Sequence, residues 1–291
     1  DVQILKPGRQ KYALLTAPDG GILDDFMVAN RGDHLFLVVN AACKDEDFAH
    51  IAAHLPAGVR IERWEDRGLL ALQGPAAEAV MARLGGAEAA ALPFMGIAET
   101  TIAGIPVIAS RSGYTGEDGF EISVAADRAE ALARALLADA DVSPAGLGAR
   151  DSLRLEAGLC LYGNDIDRTT SPVEAALVWT IGKRRRAEWN FPGAARIRAE
   201  LEAGPKRLRV GIRPDGRAPA RAHTEIIGAD GTALGEITSG GFGPTLGAPV
   251  AMGYVAAASA AEGTSVELMV RGKKLPARIA PMPFVPHRYK R

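Results

Sequence analysis

The C-terminal third of the chain is the part that most restricts how it can fold. Beyond Pro205-Lys206-Arg207, short apolar segments follow one another closely, and the turns between them contain Asp230-Gly231 and Arg271-Gly272-Lys273. The predicted strands are residues 208–212, 224–227, 233–238, 250–255 and 266–270. Closely spaced strands joined by glycine turns are typical of a small antiparallel barrel or sandwich.

The first two thirds of the chain have a different character, because short strands alternate with helices. Compact apolar runs bounded by Gly, Asp and Pro predict strands at residues 12–16, 34–40, 68–72 and 105–109. Apolar residues at helical spacing predict helices at 45–55, from Gly74-Pro75 onward, and at 127–137. The change of pattern predicts two domains, residues 1–203 and 204–291.

Composition excludes several classes of protein. The 291 residues include 34 basic and 35 acidic side chains, so no basic surface for nucleic acid is indicated. Cys43 and Cys160 lie far apart, which favours free thiols in a reducing compartment. The histidines lack metal-ligand spacing. No apolar run is long enough for a bilayer and no signal-peptide pattern is present, so we expect a cytoplasmic enzyme without a membrane partner.

Residues 110–122 form the most distinctive segment. Gly113, Gly116 and Gly119 permit backbone geometry or close approach that a Cβ would hinder. Tyr114 offers an aromatic face, and Glu121 lies where the chain becomes extended again. On composition alone, the segment fits a β-hairpin with an acidic glycine loop.

Several further segments, together with 110–122, resemble the glycine cleavage system T-protein family in the family's order and over essentially the whole chain. They are residues 20–25, 146–167, 171–174, 179–186, 237–246 and 282–286. The resemblance implies an α+β fold, in which mixed sheets and helices surround a central folate pocket and a C-terminal antiparallel β-barrel follows. Asp1–Arg9 is similar to a point well inside the family pattern. We therefore expect the family's N-terminal segment to be absent and the folate domain to be truncated, with two subdomains.

The resemblance also implies an activity. T-proteins are aminomethyltransferases, which move the aminomethyl carbon from the dihydrolipoyl arm of lipoylated H-protein to tetrahydrofolate. Nitrogen five of the folate attacks the carbon, ammonia leaves, and ring closure onto nitrogen ten gives 5,10-methylenetetrahydrofolate. Tetrahydrofolate is a co-substrate, and neither a metal nor a covalent enzyme intermediate is expected.

Asp25 is the implied catalytic residue, since it matches the family's aspartate beside nitrogen ten of the folate. Asp24 and Asp25 follow a Gly-Gly turn, and adjacent residues of an extended chain point to opposite sides. At most one of the two therefore faces a given pocket, and Asp24 is expected to be structural. Without the resemblance, such a pair is more often a solvated turn.

The resemblance assigns the other candidate residues to substrate binding. Tyr114 and Glu121 match positions around the pterin, where a carboxylate can accept hydrogen bonds from adjacent N–H groups. The remaining binding candidates are Arg150 on a predicted helix, Tyr12 and Asn40 lining the folate cavity, and Arg221 and Tyr289 from the C-terminal domain. For Arg154 and Asp151 we expect a helix-surface or interdomain ion pair, and Trp179 is either a pocket wall or core.

Two other segments carry weaker signals: a basic run with two possible interpretations and a glycine-rich segment that lacks a complete motif. Lys183–Arg186 is either a solvated face or a contact for an acidic partner, namely H-protein or the polyglutamate tail of cellular folates. Residues 240–244 are interpreted as a turn, because no Gly-Lys-Ser/Thr follows to make a phosphate loop.

Three alternatives to the aminomethyltransferase remain. The first is a folate-dependent demethylase of the dimethylglycine or sarcosine type, although no dinucleotide fingerprint for a flavin domain is present. The second is a non-catalytic folate-binding protein of iron–sulfur assembly, whose Lys-Gly-Cys-Tyr-type motif is missing, since Cys160 stands in Gly-Leu-Cys-Leu-Tyr. The third is an inactive fragment.

Overall fold

The computed structural model describes residues 1–291, which divide into two compact units. We call them the sheet unit and the barrel unit. The sheet unit comprises Val2–Ala13, Phe26–Gly146 and Arg288–Arg291. The barrel unit comprises Asp1, Leu14–Asp25 and Leu147–His287. The chain therefore enters the barrel unit twice before its C-terminal residues return to the sheet unit.

The first strands belong to a three-stranded sheet in the order β1-β2-β3. Its strands are β1 (Arg9–Thr16), β2 (Ile22–Asn30) and β3 (Leu35–Val38). The strands β1 and β2 include residues of both units. The helix α1 (Lys44–Ala53) follows, close to its predicted bounds.

The core of the sheet unit is a four-stranded antiparallel sheet with helices on one face. The strands β4 (Arg67–Gln73), β5 (Ile97–Ile102), β6 (Ile105–Ser110) and β7 (Gly119–Ala125) are arranged in the order β4-β7-β6-β5. The helices are α2 (Ala77–Arg83), α3 (Ala87–Ala90) and α4 (Ala129–Leu137). Buried side chains of β7, α2 and α4 form one apolar cluster that includes Phe120, Ile122, Met81 and Leu132.

Alternation along β7 determines which side chains stay outside that core. Phe120, Ile122 and Val124 are fully buried in the cluster, so Glu121 and Ser123 project from the opposite face of the sheet. The strand thus presents the Glu121 carboxylate on the face opposite α2, α3 and α4.

The barrel unit contains three helices and a closed six-stranded barrel. The helices are α5 (Leu147–Glu156), α6 (Lys183–Glu188) and α7 (Ala194–Ala203). The strands are β8 (Arg207–Pro214), β9 (Glu225–Ile227), β10 (Ala233–Gly243), β11 (Ala248–Ala256), β12 (Ser265–Val270) and β13 (Lys273–Ala280). They close in the order β10-β11-β8-β13-β12-β9, which confirms the α+β fold with a C-terminal antiparallel barrel.

The interpretation of residues 240–244 as a turn is wrong for all but its last residue. Gly240 to Gly243 belong to β10 and pair in register with Ala251 to Ala248 of β11, and the turn follows at residues 244–247. A Cβ on Gly240 would lie 2.0 Å from the carbonyl oxygen of Ala220. Glycine is therefore present here because two backbone segments approach closely, and not because the chain reverses.

None of the helices is both long and apolar enough to span a bilayer. Every predicted strand and helix overlaps an observed element of the same type. The strands β5 and β13 and the helices α3, α6 and α7 were not predicted.

Candidate active site

The glycine-rich loop at residues 111–118 is fixed by a buried arginine at its start. The Arg111 side chain has no exposed area and donates hydrogen bonds to Asp118 at the end of the loop and to Glu78 of α2. It also donates to the carbonyl oxygens of Ala90 and Leu92 at 2.6 and 3.0 Å. Burial opposes the charge of the guanidinium, but the hydrogen bonds to Asp118 and Glu78 raise its pKa. Both ends of the loop are thus held by one cation.

Gln73 fills the interior of the same loop and explains two of its glycines. Its amide nitrogen donates to the carbonyl oxygens of Ser112 and Phe120 at 3.0 and 3.1 Å, and its amide oxygen accepts from Thr115. A Cβ on Gly113 would lie 1.9 Å from the Gln73 amide oxygen, and one on Gly119 would lie 2.6 Å from its Cδ. The expected need for close approach is confirmed.

The third glycine has a different cause. Gly116 has a φ of +73°, in the left-handed region that side-chain-bearing residues rarely adopt. The loop therefore combines one left-handed backbone turn with two contacts to Gln73. Tyr114 projects from its middle and is half-buried.

Glu121 is oriented by two serines that the sequence reasoning did not single out. Ser112 donates through Oγ to Oε2 of Glu121 at 2.8 Å, and the Ser110 and Ser112 hydroxyl oxygens are 3.1 Å apart. Ser110 is also the register partner of Glu121 across β6 and β7. Both serines are buried, whereas Glu121 is half-buried. The carboxylate is consequently held in one orientation by its own sheet.

Three further candidates belong to the sheet unit: Tyr12 on β1, Asn40 just after β3, and Tyr289. The first two are half-buried, and the Asn40 carbonyl oxygen accepts a hydrogen bond from the Cys43 amide at 2.9 Å.

Tyr289 was expected with the C-terminal domain, but it packs in the sheet unit. Its ring stacks on Phe94 with centroids 4.0 Å apart and an angle of 8°. The neighbouring backbone is fixed as well, because the Arg288 amide donates to the Gly116 carbonyl oxygen at 2.9 Å. Burial raises the pKa of Tyr289. The final residues of the chain thus support the loop that carries Tyr114.

Asp24 and Asp25 lie in the part of β2 that belongs to the barrel unit. Asp24 is fully buried and Asp25 is half-buried, in keeping with adjacent strand residues that point to opposite sides. Burial raises the pKa of the Cys160 thiol to about 12. The Asp25 carboxylate has a smaller effect in the same direction. Asp25 therefore lies near the segment that follows α5.

The helix α5 carries Arg150 on an exposed turn and Arg154 on a buried one. The predicted ion pair between Arg154 and Asp151 is present, with Nη2 and Oδ1 2.7 Å apart. It is more than a surface pair, because Arg154 is almost fully buried and also contacts Asp165 at 2.8 Å.

A cavity of about 340 Å³ lies beside α5 within the barrel unit. Arg221 is at its wall and donates from Nη1 to the Gly240 carbonyl oxygen at 3.3 Å. The other lining residues are mostly polar: Asp151, Arg154, Leu161, Asn164, Ala222, Thr238, Ser239 and Gly240. Of the eight predicted site residues, Asp25, Arg150 and Arg221 belong to the barrel unit, and the other five to the sheet unit.

The basic run and the nearby tryptophan are largely at the surface. Trp179 is 65% exposed, so it is not a core residue. In α6, Arg184 binds Asp1 and Glu188, and Arg185 binds Asn190. Lys183 and Arg186 are exposed. The structure contains no group of three or more His, Cys, Asp or Glu placed to hold a metal ion.

The chain matches known proteins along almost its whole length. Residues 1–185 match the family model described as the GCVT N-terminal domain, and residues 207–286 match the glycine cleavage T-protein C-terminal barrel domain. The chain is 47% identical to the mitochondrial aminomethyltransferase of Solanum tuberosum, over 99% of the chain and 73% of that protein. It is 48% identical to that of Gallus gallus, over 99% and 75%.

The same likeness is found among solved structures. The crystal structure of glycine cleavage system aminomethyltransferase T from Bartonella henselae superposes with a TM-score of 0.92 at 44% identity, covering 100% of this chain and 80% of that one. These matches place the protein among the aminomethyltransferases, which are enzymes. It belongs to the glycine cleavage T-protein family, so the resemblance drawn from the sequence is confirmed.

Proposed function

We propose that this chain transfers the aminomethyl carbon from the dihydrolipoyl arm of H-protein to tetrahydrofolate, with release of ammonia. Membership of the family, together with the alignment to an aminomethyltransferase over 99% of the chain, supports the reaction. The observation that carries the proposal is the Glu121 carboxylate, which Ser112 orients on the face of its sheet opposite α2, α3 and α4, next to the loop that bears Tyr114. A fixed carboxylate beside an aromatic face suits a pterin, which has an edge of adjacent N–H donors and a flat ring.

Glu121 would bind that edge as a charge-assisted acceptor. An ionised carboxylate has about four acceptor positions, and Ser112 takes one of them on Oε2. The remaining positions can accept from the ring amide and the exocyclic amine of the pterin, since paired donors on one edge match the two oxygens of a carboxylate. Tyr114 would contact the pterin through its ring.

Asp25 would act on the reacting nitrogens. Nitrogen five attacks the methylene carbon as its bond to the amino group breaks, and ammonia leaves. Nitrogen ten then closes the ring as the carbon–sulfur bond breaks and the thiol of the dihydrolipoyl arm is restored. Positive charge develops on the nitrogens, and a carboxylate at that point would stabilise it and orient the amine. The larger contribution would come from holding the reactants in position.

The partners that follow from this function are lipoylated H-protein and the folate itself. Lys183 and Arg186 are exposed on α6, and they are proposed as a contact for an acidic partner, either H-protein or a polyglutamate tail. No basic surface for nucleic acid is proposed, in line with the net charge of −1.

Two other sequence predictions remain proposals. The domain boundary near residue 203 is supported by the gap between the matched segments, 1–185 and 207–286. The cytoplasmic location is supported by the two free cysteines, Cys43 and Cys160. The relatives from Solanum tuberosum and Gallus gallus are named mitochondrial.

The experiment that tests the function is ammonia release from aminomethylated H-protein, measured with and without tetrahydrofolate. We expect release that depends strongly on the folate and yields 5,10-methylenetetrahydrofolate. Fluorescence titration with tetrahydrofolate provides the second measurement, because a non-catalytic folate-binding protein would bind without release. An inactive fragment would show neither binding nor release, and either result would overturn the proposal.

A further inference from the structure

A buried cluster in the barrel unit connects the surroundings of all three candidate residues in that unit. We call it the Asp165 cluster, and it consists of Asp165, Arg154, Thr238 and Ser239. Asp165 and Arg154 have almost no exposed area, with 0% and 3% of their side chains accessible. A buried ion pair is costly to desolvate and is weak evidence for stability. The Arg154–Asp165 pair is therefore better explained by a role in fixing the arrangement of the elements that it joins.

Every polar side-chain group at the centre of this cluster has a hydrogen-bond partner. The Asp165 carboxylate accepts from Arg154 Nη1 and Ser239 Oγ at 2.8 Å each and from the Leu161 amide at 2.9 Å, and it also accepts from the Thr238 hydroxyl. The Ser239 hydroxyl in turn accepts from Arg154 Nη2 at 2.9 Å. Networks with all members satisfied hold their elements in one arrangement.

The cluster fixes the helix that carries Arg150. Arg154 lies one turn after Arg150 on α5, and its Nε and Nη2 bind Asp151 at 2.9 and 2.7 Å. Through its bonds to Asp165 and Ser239, it attaches α5 to strand β10 of the barrel. Arg154 thus joins the helix that carries Arg150 to Asp165 and to the barrel.

The cluster also sets the wall of the cavity at Arg221. Thr238, Ser239 and Arg154 line that cavity, and Arg221 donates to the carbonyl oxygen of Gly240, the residue after Ser239. A change in how β10 meets α5 therefore alters the surroundings of the Arg221 guanidinium.

The third connection runs from Asp165 to the strand of Asp25. The Tyr162 hydroxyl donates to the Ile22 carbonyl oxygen at 3.2 Å. The Ile22 amide lies 3.2 and 3.0 Å from the carbonyl oxygens of Asp167 and Thr170. Asp165 is in the middle of this segment and holds it through the Leu161 amide and through its own carbonyl oxygen, which accepts from Tyr254 at 2.6 Å.

We infer that Asp165 is a positioning residue of the transferase: it does not touch the substrates but sets the places of Arg150, Arg221 and Asp25 by way of Arg154, Ser239 and the segment 161–170. The inference rests on the proposed function for its kinetic consequence, whereas its structural part is independent of that function.

The test uses Asp165→Asn, which keeps the shape of the side chain and removes its charge. Ser239→Ala is the milder second variant, since it removes only the bridging hydroxyl. Leu268→Ala is the control: Leu268 is fully buried in the barrel core and belongs to a different cluster, so its loss destabilises the same unit without touching the network.

We expect kcat/KM for tetrahydrofolate to fall about 100-fold in Asp165→Asn and less in Ser239→Ala, because misplacement by about 1 Å can cost that factor. Amide hydrogen exchange should become faster at residues 147–158 and 21–25 in both variants. In Leu268→Ala, neither quantity should change beyond what its fall in Tm predicts.

Unchanged kinetics and unchanged exchange in Asp165→Asn would overturn the inference, as would an equal kinetic loss in Leu268→Ala at a matched Tm. If Asp165→Asn does not fold, Ser239→Ala decides by the same two readouts. If the wild-type chain releases no ammonia with tetrahydrofolate, the proposed function fails, and the exchange pattern alone still supports or refutes the positioning role.

Discussion

Ser112 and Glu121 are joined by a hydrogen bond of 2.8 Å from the serine hydroxyl to Oε2 of the carboxylate. The serine belongs to the glycine loop and the glutamate to β7, the strand that follows it. The bond therefore attaches the start of the loop to the strand after it. It restricts the rotamers of Glu121 before any ligand binds. Less conformational entropy would then be lost when a ligand binds to this carboxylate.

We predict that Glu121→Ala weakens the binding of tetrahydrofolate about ten- to a hundredfold. A hydrogen bond to a charged group contributes about 1.5–3 kcal/mol, and each 1.4 kcal/mol is a factor of ten. The dissociation constant from fluorescence titration is the measurement. Glu88→Ala is the matched control, because Glu88 is an exposed glutamate of α3 in the same unit and has no assigned role in binding. An unaltered dissociation constant in Glu121→Ala would count against the pterin assignment.

For Asp25→Asn we predict a loss of turnover with little loss of folate affinity. A carboxylate that stabilises developing charge acts in the transition state and not in the bound ground state, and such groups contribute about 10²–10⁴-fold. Steady-state ammonia release and folate titration measure the two effects separately. Asp127→Asn, an exposed aspartate in the sheet unit, is the control for the same chemical change. Wild-type turnover in Asp25→Asn would exclude the catalytic role.

Gly113→Ala should destabilise the loop and weaken folate binding together. The new methyl group would lie 1.9 Å from the Gln73 amide oxygen, and moving that side chain breaks its bonds to Ser112 and Phe120. Overpacking of this kind costs about 1–3 kcal/mol, which urea unfolding can measure. Gly146→Ala is the control, since a Cβ there meets nothing within 4 Å. Equal stability of the two variants would show that the loop adapts.

The sequence predicted the barrel and the family well, since both depend on local patterns. Strand spacing and glycine turns are local signals, and the three loop glycines have the steric reasons that the sequence indicated. The residues that orient the site were not predictable in the same way. Ser112 gives no signal of its own, and Asp165 meets Ser239 across 74 positions of the chain. Such contacts depend on tertiary packing, which a periodicity does not contain.

Trp179 and Gly240 are residues whose type suggested an environment that the structure does not show. Trp179 stands beside Val178 and Ile181, which made a core position plausible, yet it lies in a short 3₁₀ turn and is exposed. Gly240 resembled a turn residue, but it serves a close backbone approach inside a strand. In both cases the residue type was informative only once the neighbouring segment was known.

The Cys160 thiol provides a prediction for the pH dependence of stability. Burial raises its pKa to about 12, whereas an unfolded cysteine titrates near 8.5. The folded protein therefore holds this proton over a pH range in which the unfolded chain has lost it. The contribution of this thiol to the free energy of unfolding is fully present below about pH 8.5. Above that pH it falls by about 1.4 kcal/mol per pH unit until the thiol of the folded protein ionises.

We expect the free energy of unfolding of the wild-type chain to decline more steeply between pH 8.5 and 10 than that of Cys160→Ala, which lacks the titrating thiol. Urea unfolding at several pH values measures both slopes. Cys43→Ala is the control for the removal of a thiol elsewhere in the chain. In native protein at pH 8, iodoacetamide should modify the half-buried Cys43 before Cys160, since Cys160 is buried and burial keeps its thiol protonated. Parallel slopes for wild type and Cys160→Ala would show that Cys160 ionises as readily in the folded as in the unfolded state.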